Sequence, residues 1–310
     1  MARMARIKMD GEAAAYHVYG RVCGSPGEFP LSNPLCRKTL IDMIRHYSTA
    51  YCCQIAALNC MGTHYHAVVQ FEAYHTLTPE ELRERALLLY PNSGDELDEW
   101  PKAKWDRLQE RLFDVSEFMR NLHSAFARFY NKTYRHHGRF WADRFKSTLL
   151  ENTQSMLDAM LYVELNAVRA GLVERPEDWK GSSLYLREAG QDDWLLPLTS
   201  LFDKTNKRAL SEYRSLVYYR GAVPTKPGQV AISQRIIQEE EARGFKVSGI
   251  YSKRLRYFVD GLVIGSEAFV RQHINKLRES GQYLRRKHPI PQLDGLHLSL
   301  REQRHTAVEF

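Results

Sequence analysis

Gln54-Ile-Ala-Ala-Leu-Asn-Cys-Met61, the break Gly62-Thr63, and His64-Tyr-His-Ala-Val-Val-Gln-Phe71 decide the fold class. Each flank is a short apolar run rich in β-branched and aromatic residues, and the break is only as long as a tight turn, so the stretch predicts a β-hairpin. Upstream, Tyr16-His-Val-Tyr-Gly-Arg-Val-Cys23 has strand character and runs into Gly24-Ser-Pro-Gly27. Between them Leu40, Ile41, Ile44 and Tyr47 recur at helical spacing within Leu35 to Tyr51. Strand, helix and strand pair in that order predict an α+β sandwich with an antiparallel sheet and helices on one face, not a doubly wound sheet.

Thr78-Pro79-Glu80-Glu81 starts a helix, with a Thr cap, Pro in the first turn and an acid three residues on. The charged segment from there to Asp114 reads as a helical insertion over about 76–114. Val115 to Tyr130 predicts another helix, and about Gln154 to Ala170 a further one ended by Gly171. The composition changes after Tyr185. A helix near Ser200 to Tyr219 precedes the loop Gly221-Ala-Val-Pro-Thr-Lys-Pro-Gly228, and two helix-like stretches and a basic tail follow. The chain thus divides into a region 1–185 and a mainly helical region 186–310.

The 310 residues, 44 % hydrophobic and 26 % charged, exclude wholesale disorder and fibrous classes and leave room for about two domains. No apolar run approaches the ~20 residues that cross a bilayer, and the basic N-terminus lacks the apolar segment of a secretory signal. Cys23, Cys36, Cys52, Cys53 and Cys60 are odd in number and have no CxxC pairing, which predicts reduced thiols in a cytoplasmic protein rather than a disulfide framework or a Cys-rich zinc site. The net charge of +7 favours a polyanionic partner.

His64 and His66 are two apart on a predicted strand, so both imidazoles leave the same face, where they can share one metal ion. Tyr65 faces the opposite side. Tyr162 and Asn166 are four apart on a predicted helix and share a face. By spacing alone, incidental histidines and a packed Tyr with a surface Asn explain these pairs better than a site does. From Arg128 to Lys146 the bases Arg128, Lys132, Arg135, Arg139, Arg144 and Lys146 face a single acid, Asp143, and Tyr130, Tyr134, Phe140 and Trp141 interleave with them. That pattern suits phosphate neutralisation with base stacking, or a solvated basic face over core aromatics. In the tail Lys253, Arg254, Arg256, Arg271, Lys276, Arg278, Arg285, Arg286 and Lys287 outnumber Asp260, Glu267 and Glu279.

Taken jointly, the His64-Tyr65-His66 strand after Met61-Gly62-Thr63, the basic aromatic segment, and Tyr162-Val-Glu-Leu-Asn166-Ala-Val-Arg-Ala-Gly-Leu-Val173 resemble the HUH-superfamily tyrosine transposases of the IS200-like type. The likeness is strongest to the REP-associated tyrosine transposase branch and covers roughly residues 14–185; Arg256 to Val270 resembles a C-terminal segment of longer members. Tyr65 replaces a small aliphatic residue and Ala167 the usual Pro. The resemblance implies a ferredoxin- or RRM-like nuclease domain, with Tyr162 as nucleophile and a Mg²⁺ or Mn²⁺ ion held by His64, His66 and Asn166. It implies cleavage and rejoining of single-stranded or hairpin DNA through a 5′-phosphotyrosine intermediate, by a monomer or homodimer. Arg21, Arg128, Lys132, Arg135, Arg139, Arg144, Lys146, Arg169, Lys253, Arg254 and Arg256 are the expected DNA contacts. A replication initiator or relaxase of the same superfamily, or a non-catalytic regulator that binds repeat hairpins, remains an alternative on the sequence.

Overall fold

A computed structural model describes residues 7–9, 11–24, 27–224, 228–244, 261–279, 289–291 and 297–300. The hairpin forms as read. β1 (Ala14–Arg21) leads to α1 (Pro34–Ala50), then β2 (Cys53–Cys60) and β3 (His64–Phe71) pair antiparallel. Asn33 caps α1, its side chain accepting from the backbone N–H of Leu35 and Cys36. The buried Cys36, Leu40 and Ile44 then recur every four residues as one packing stripe. At the hairpin turn the Met61 N–H donates to the His64 carbonyl at 2.8 Å. A Cβ on Gly62 would lie 2.7 Å from Ser32 Oγ, so the turn can press against the α1 lead-in only without a side chain.

The expected insertion is three helices, α2 (Pro79–Leu89), α3 (Gly94–Asp98) and α4 (Lys102–Leu112). Thr78 and Glu81 close a reciprocal capping box at its start. α5 (Val115–Tyr134) follows, and β4 (Lys146–Leu150) pairs antiparallel with β1. The order β2-β3-β1-β4, with α1 and the α2–α5 segment as the two connections, is the split βαβ arrangement of ferredoxin-like sheets.

Strand alternation divides the core in two. Tyr16, Val18, Tyr65, Ala67 and Val69 pack with Leu40 and Ile44 of α1 and Phe118, Leu122 and Phe126 of α5. Burying Phe118 and Phe126 contributes roughly 1.5–3 kcal/mol each, so the apolar stripe holds α5 in place and its charged outer face stays in solvent. On the other side, Ala57, Val68 and Leu150 pack with Met156, Met160 and Val163 of α6 (Thr153–Glu164) and Tyr213, Leu216 and Val217 of α9 (Asn206–Gly221). The α+β class holds, but the helices cover both faces of the sheet rather than one. The second face of this sheet is too apolar to stay in water, and α6 and α9 cover it.

The C-terminal region holds helices α10 (Gln234–Ala242) and α11 (Glu267–Glu279), and it also extends the sheet. β5 (Gly261–Gly265) runs parallel to β4, β6 (Ile290–Pro291) forms the far edge, and β7 (His297–Leu300) lies between β5 and β6. The seven-stranded order is β2-β3-β1-β4-β5-β7-β6. The sheet is therefore mixed, and residue 185 does not mark its edge. A five-residue apolar run such as β5, buried on both sides, carries no periodicity that separates strand from helix.

Candidate active site

The β1–β3 register sets Arg21 opposite His64, Tyr19 opposite His66 and His17 opposite Val68. His64 and His66 therefore share a face with His17 and Tyr19, as the alternation requires, and Tyr65 points the other way. His17 Nε2 and His66 Nδ1 hydrogen-bond at 3.0 Å, their rings stacked with centroids 5.1 Å apart. His64 Nδ1 meets Thr63 Oγ1 at 3.1 Å. The His64 and His66 rings lie edge to face at 5.1 Å, and the Tyr19 ring is 5.5 and 4.8 Å from them. The hydrogen bonds of both imidazoles use Nδ1, which fixes each ring and keeps Nε2 for a ligand. Burial, then the nearby Arg21, holds the His64 pKa down to about 4. Burial and the neighbouring His17 and His64 hold His66 well below the ordinary range. Neutral imidazoles with a free Nε2 are what a metal needs. Among the described residues no three His, Cys, Asp or Glu side chains are grouped to hold an ion, so a site on this pair needs oxygen donors to complete it.

Asn59, opposite His66 on β2 and fully buried, docks the end of α6. Its Nδ2 donates to the Val163 carbonyl at 2.9 Å and the Glu164 carbonyl at 3.4 Å. The Glu164 carboxylate accepts from Ser183 Oγ (2.5 Å), from Tyr213 OH and from the Leu184 N–H at the start of α8 (Ser183–Glu188). Burial pushes its pKa up to about 7 against these donors. With its last turn pinned, α6 carries the Tyr162 ring over the histidines: 5.7 Å from His66 and 5.8 Å from His17, edge to face with both. The Arg169 guanidinium carbon is 5.5 Å from that ring. Burial holds the Arg169 pKa down to about 10, and its Nη1 has no hydrogen-bond partner.

One expected helix is two. α6 ends at Glu164, and after Leu165 a single turn, α7 (Asn166–Arg169), precedes Gly171 at φ +69°. The break lies where Asn59 takes the Val163 and Glu164 carbonyls. Tyr162 reaches the imidazoles, whereas Asn166 donates its Nδ2 to the Val163 carbonyl at 3.3 Å and makes no hydrogen bond to either imidazole among the described residues.

The expected basic residues do not all gather on this face: Arg21 acts on His64, whereas Arg128, Lys132 and Arg135 belong to α5 and its end, which pack on the Tyr65 side of the sheet. Arg21, Arg128, Lys132, Arg135, Arg139 and Arg144 are exposed. Half-buried Lys146, opposite Tyr19 across β1 and β4, sets its Nζ 6.0 Å from the Tyr19 ring. Arg169 lies against Tyr162, apart from that exposed group. Lys253, Arg254 and Arg256, with Arg285, Arg286 and Lys287, lie outside the described residues. Phe140 and Trp141 are core, at 3 % and 9 % exposure, and Trp141 Nε1 donates to the His123 carbonyl. They are not open to bases. Of the four interleaved rings, half-buried Tyr130 and exposed Tyr134, 4.7 Å apart, are the nearer to solvent.

Sequence reasoning missed His17, Tyr19 and Asn59. His17 and Tyr19 have the same two-residue spacing as His64 and His66, which was a usable signal. That they share a face with them follows only from the strand order and register.

No family model matches the sequence, and no curated protein matches it. Among solved structures, one of a REP-associated tyrosine transposase bound to a REP hairpin is similar, with a TM-score of 0.42 and 15 % identity over 61 % of this chain and 86 % of that one.

Proposed function

We propose that this chain is a metal-dependent single-strand DNA endonuclease and strand transferase, a transposase acting at hairpin-forming repeats with Tyr162 as nucleophile. The observation that carries the reading is the convergence of the Tyr162 ring on the His17–His66 pair. The Tyr162 phenol, the neutral imidazoles of His64 and His66 with their free Nε2 atoms, and exposed Arg21 beside His64 suit phosphodiester chemistry.

His64 and His66 would hold a Mg²⁺ or Mn²⁺ ion, with Asn166 Oδ1 as the third donor implied by the resemblance; imidazole donors favour Mn²⁺. When bound, such an ion supplies Lewis-acid stabilisation of charge on the non-bridging phosphate oxygens. The rest is done by the chain. His17 fixes the ring of His66, and Asn59 fixes the helix end that carries Tyr162. In the reaction the Tyr162 oxygen forms a bond to phosphorus and the bond from phosphorus to the 3′ oxygen breaks. The phenol proton is lost, the departing 3′ oxygen gains one, and the 5′ phosphate stays on the tyrosine. Reversal by another 3′-hydroxyl rejoins a strand without an external energy source.

The test is a labelled single strand carrying a hairpin, incubated with Mn²⁺ and run under denaturing conditions. The expected result is a covalent protein–DNA adduct that is lost in Tyr162→Phe and on chelation. An adduct that persists in the Phe variant overturns the assignment.

A further inference from the structure

A second feature lies beside the histidines. Four backbone hydrogen bonds knit the hairpin turn into a rim: the Leu31 N–H to the Gly62 carbonyl (3.0 Å), Val22 to Thr63 (2.8 Å), Cys23 to Phe140 (2.7 Å) and Ala142 to Arg21 (2.9 Å). They fix the order along it. The 29–32 segment meets the turn at Gly62, and the Arg21 segment, joined to 139–144, meets it at Thr63, next to His64.

The latter two segments carry exposed Arg21, Arg139 and Arg144. Arg21 has only a 3.9 Å ion pair with Asp143, and Arg139 and Arg144 pair with no acid among the described residues. The 29–32 segment carries Phe29, which is 58 % exposed, the most of any large apolar side chain among the described residues. Phe29 is held in place. A Cβ built on Gly62 would come within 3.1 Å of Phe29 Cδ1 and 3.3 Å of its Cβ, so the residue rests on the glycine of the turn. The Ser32 N–H donates to its carbonyl at 2.9 Å.

An anchored, solvent-facing aromatic ring on the same turn as Arg21, with its one long ion pair, and the acid-free Arg139 and Arg144 matches one class of ligand, an anionic chain that carries flat apolar rings. A stacked duplex keeps its ring faces covered. A protein partner recognised by the arginines would be acidic and would have no need of an aromatic face. We propose that Phe29 is a stacking platform for an unpaired base of single-stranded DNA whose backbone runs past Arg21, Arg139 and Arg144, which sets the strand across His64. This rests on the reading of the chain as a single-strand nuclease and adds where the strand is gripped.

The test measures binding of a deoxythymidine oligonucleotide to the full chain, in a Tyr162→Phe background so that no strand is cut. Phe29→Ala is expected to weaken binding roughly tenfold, the loss of one stacked base, with the slope of log affinity against log salt unchanged. Arg139→Ala is expected to lower that slope by about 0.7, one phosphate contact on a single strand. Phe29→Trp restores affinity, and its fluorescence quenches on adding the oligonucleotide but not a blunt duplex of equal length. Phe29→Leu keeps an apolar cover on Gly62 and still binds weakly, which separates stacking from support of the turn. Wild-type affinity in Phe29→Leu, or an indole signal in Phe29→Trp that the oligonucleotide does not change, overturns the platform. These readings need no cleavage. They can fail while the Tyr162 adduct forms, and the adduct can fail while they hold.

Discussion

Tyr65 and His66 are neighbours on one strand and face opposite sides of one sheet, and their surroundings differ in kind. On the Tyr65 side the phenol meets His123 Nε2 at 2.7 Å, His123 stacks on Trp141 at 4.0 Å, and the Trp141 Nε1–H is taken by a backbone carbonyl. Each polar group named there has a partner inside the core. On the His66 side a second tyrosine, Tyr162, meets a pair of imidazoles, but the hydrogen bonds of His64 and His66 stop at Nδ1 and a buried guanidinium nitrogen of Arg169 has no partner. The same two residue types therefore form a closed hydrogen-bonded cluster on one face and a set with unused ring nitrogens and an unpartnered guanidinium nitrogen on the other. Saturated hydrogen bonding is what a structural cluster needs; leftover capacity at a converged set of groups is the mark of a site.

The largest expected effect contrasts the two phenols. Tyr162→Phe removes adduct formation, a loss of at least about a thousandfold, with thermal stability near wild type. Equal cleavage by Tyr65→Phe and wild type is the matching result. A reversed outcome, read on the same gel, would exchange the roles of the two faces.

Next come the imidazoles. His64→Ala and His66→Ala should each abolish Mn²⁺-dependent cleavage, while Asn166→Ala weakens the apparent metal affinity less, because an amide oxygen is a poorer ligand than imidazole for a first-row ion. Titration of Mn²⁺ against cleavage rate measures this. His17→Ala sharpens the contrast: it leaves both ligands in place but frees the His66 ring, so a reduced metal affinity of about 10–100-fold is expected.

On the closed face the effects are on stability. His123→Ala should lower it by about 2 kcal/mol, since it removes a ring stacked on Trp141 and the partner of Tyr65. Cleavage by the molecules still folded should be unchanged. Tyr65→Phe comes last, at about 1 kcal/mol for one lost buried hydrogen bond. Denaturant unfolding of both variants checks the order.

Much of this was legible along the chain. β1 and the β2–β3 hairpin follow from eight-residue β-branched and aromatic runs set off by turn residues, and α1, the insertion and α5 from helical periodicity and the cap at Thr78. That His64 and His66 share a face, with Tyr65 opposite, follows from the period of a strand. β4 and β5 were not legible, because short runs buried on both sides have no polar alternation. The break after Glu164 was not legible either, because it depends on Asn59, more than a hundred residues earlier, taking two carbonyls of the helix.

What the sequence determined by itself is therefore the elements with their own caps, periodicity or turn boundaries, and which side of its own strand or helix each candidate site residue occupies, since these depend on residues within a few positions of one another. Only the tertiary structure decided that His17 of β1 stands beside His66 of β3, that Tyr162 rather than Asn166 meets the imidazoles, and that Phe140 and Trp141 are core while Phe29 is not. Each of these depends on strand register, on which face a distant helix covers, or on a side-chain-to-backbone bond across the sheet. Such contacts join residues far apart in the chain, so no local spacing encodes them.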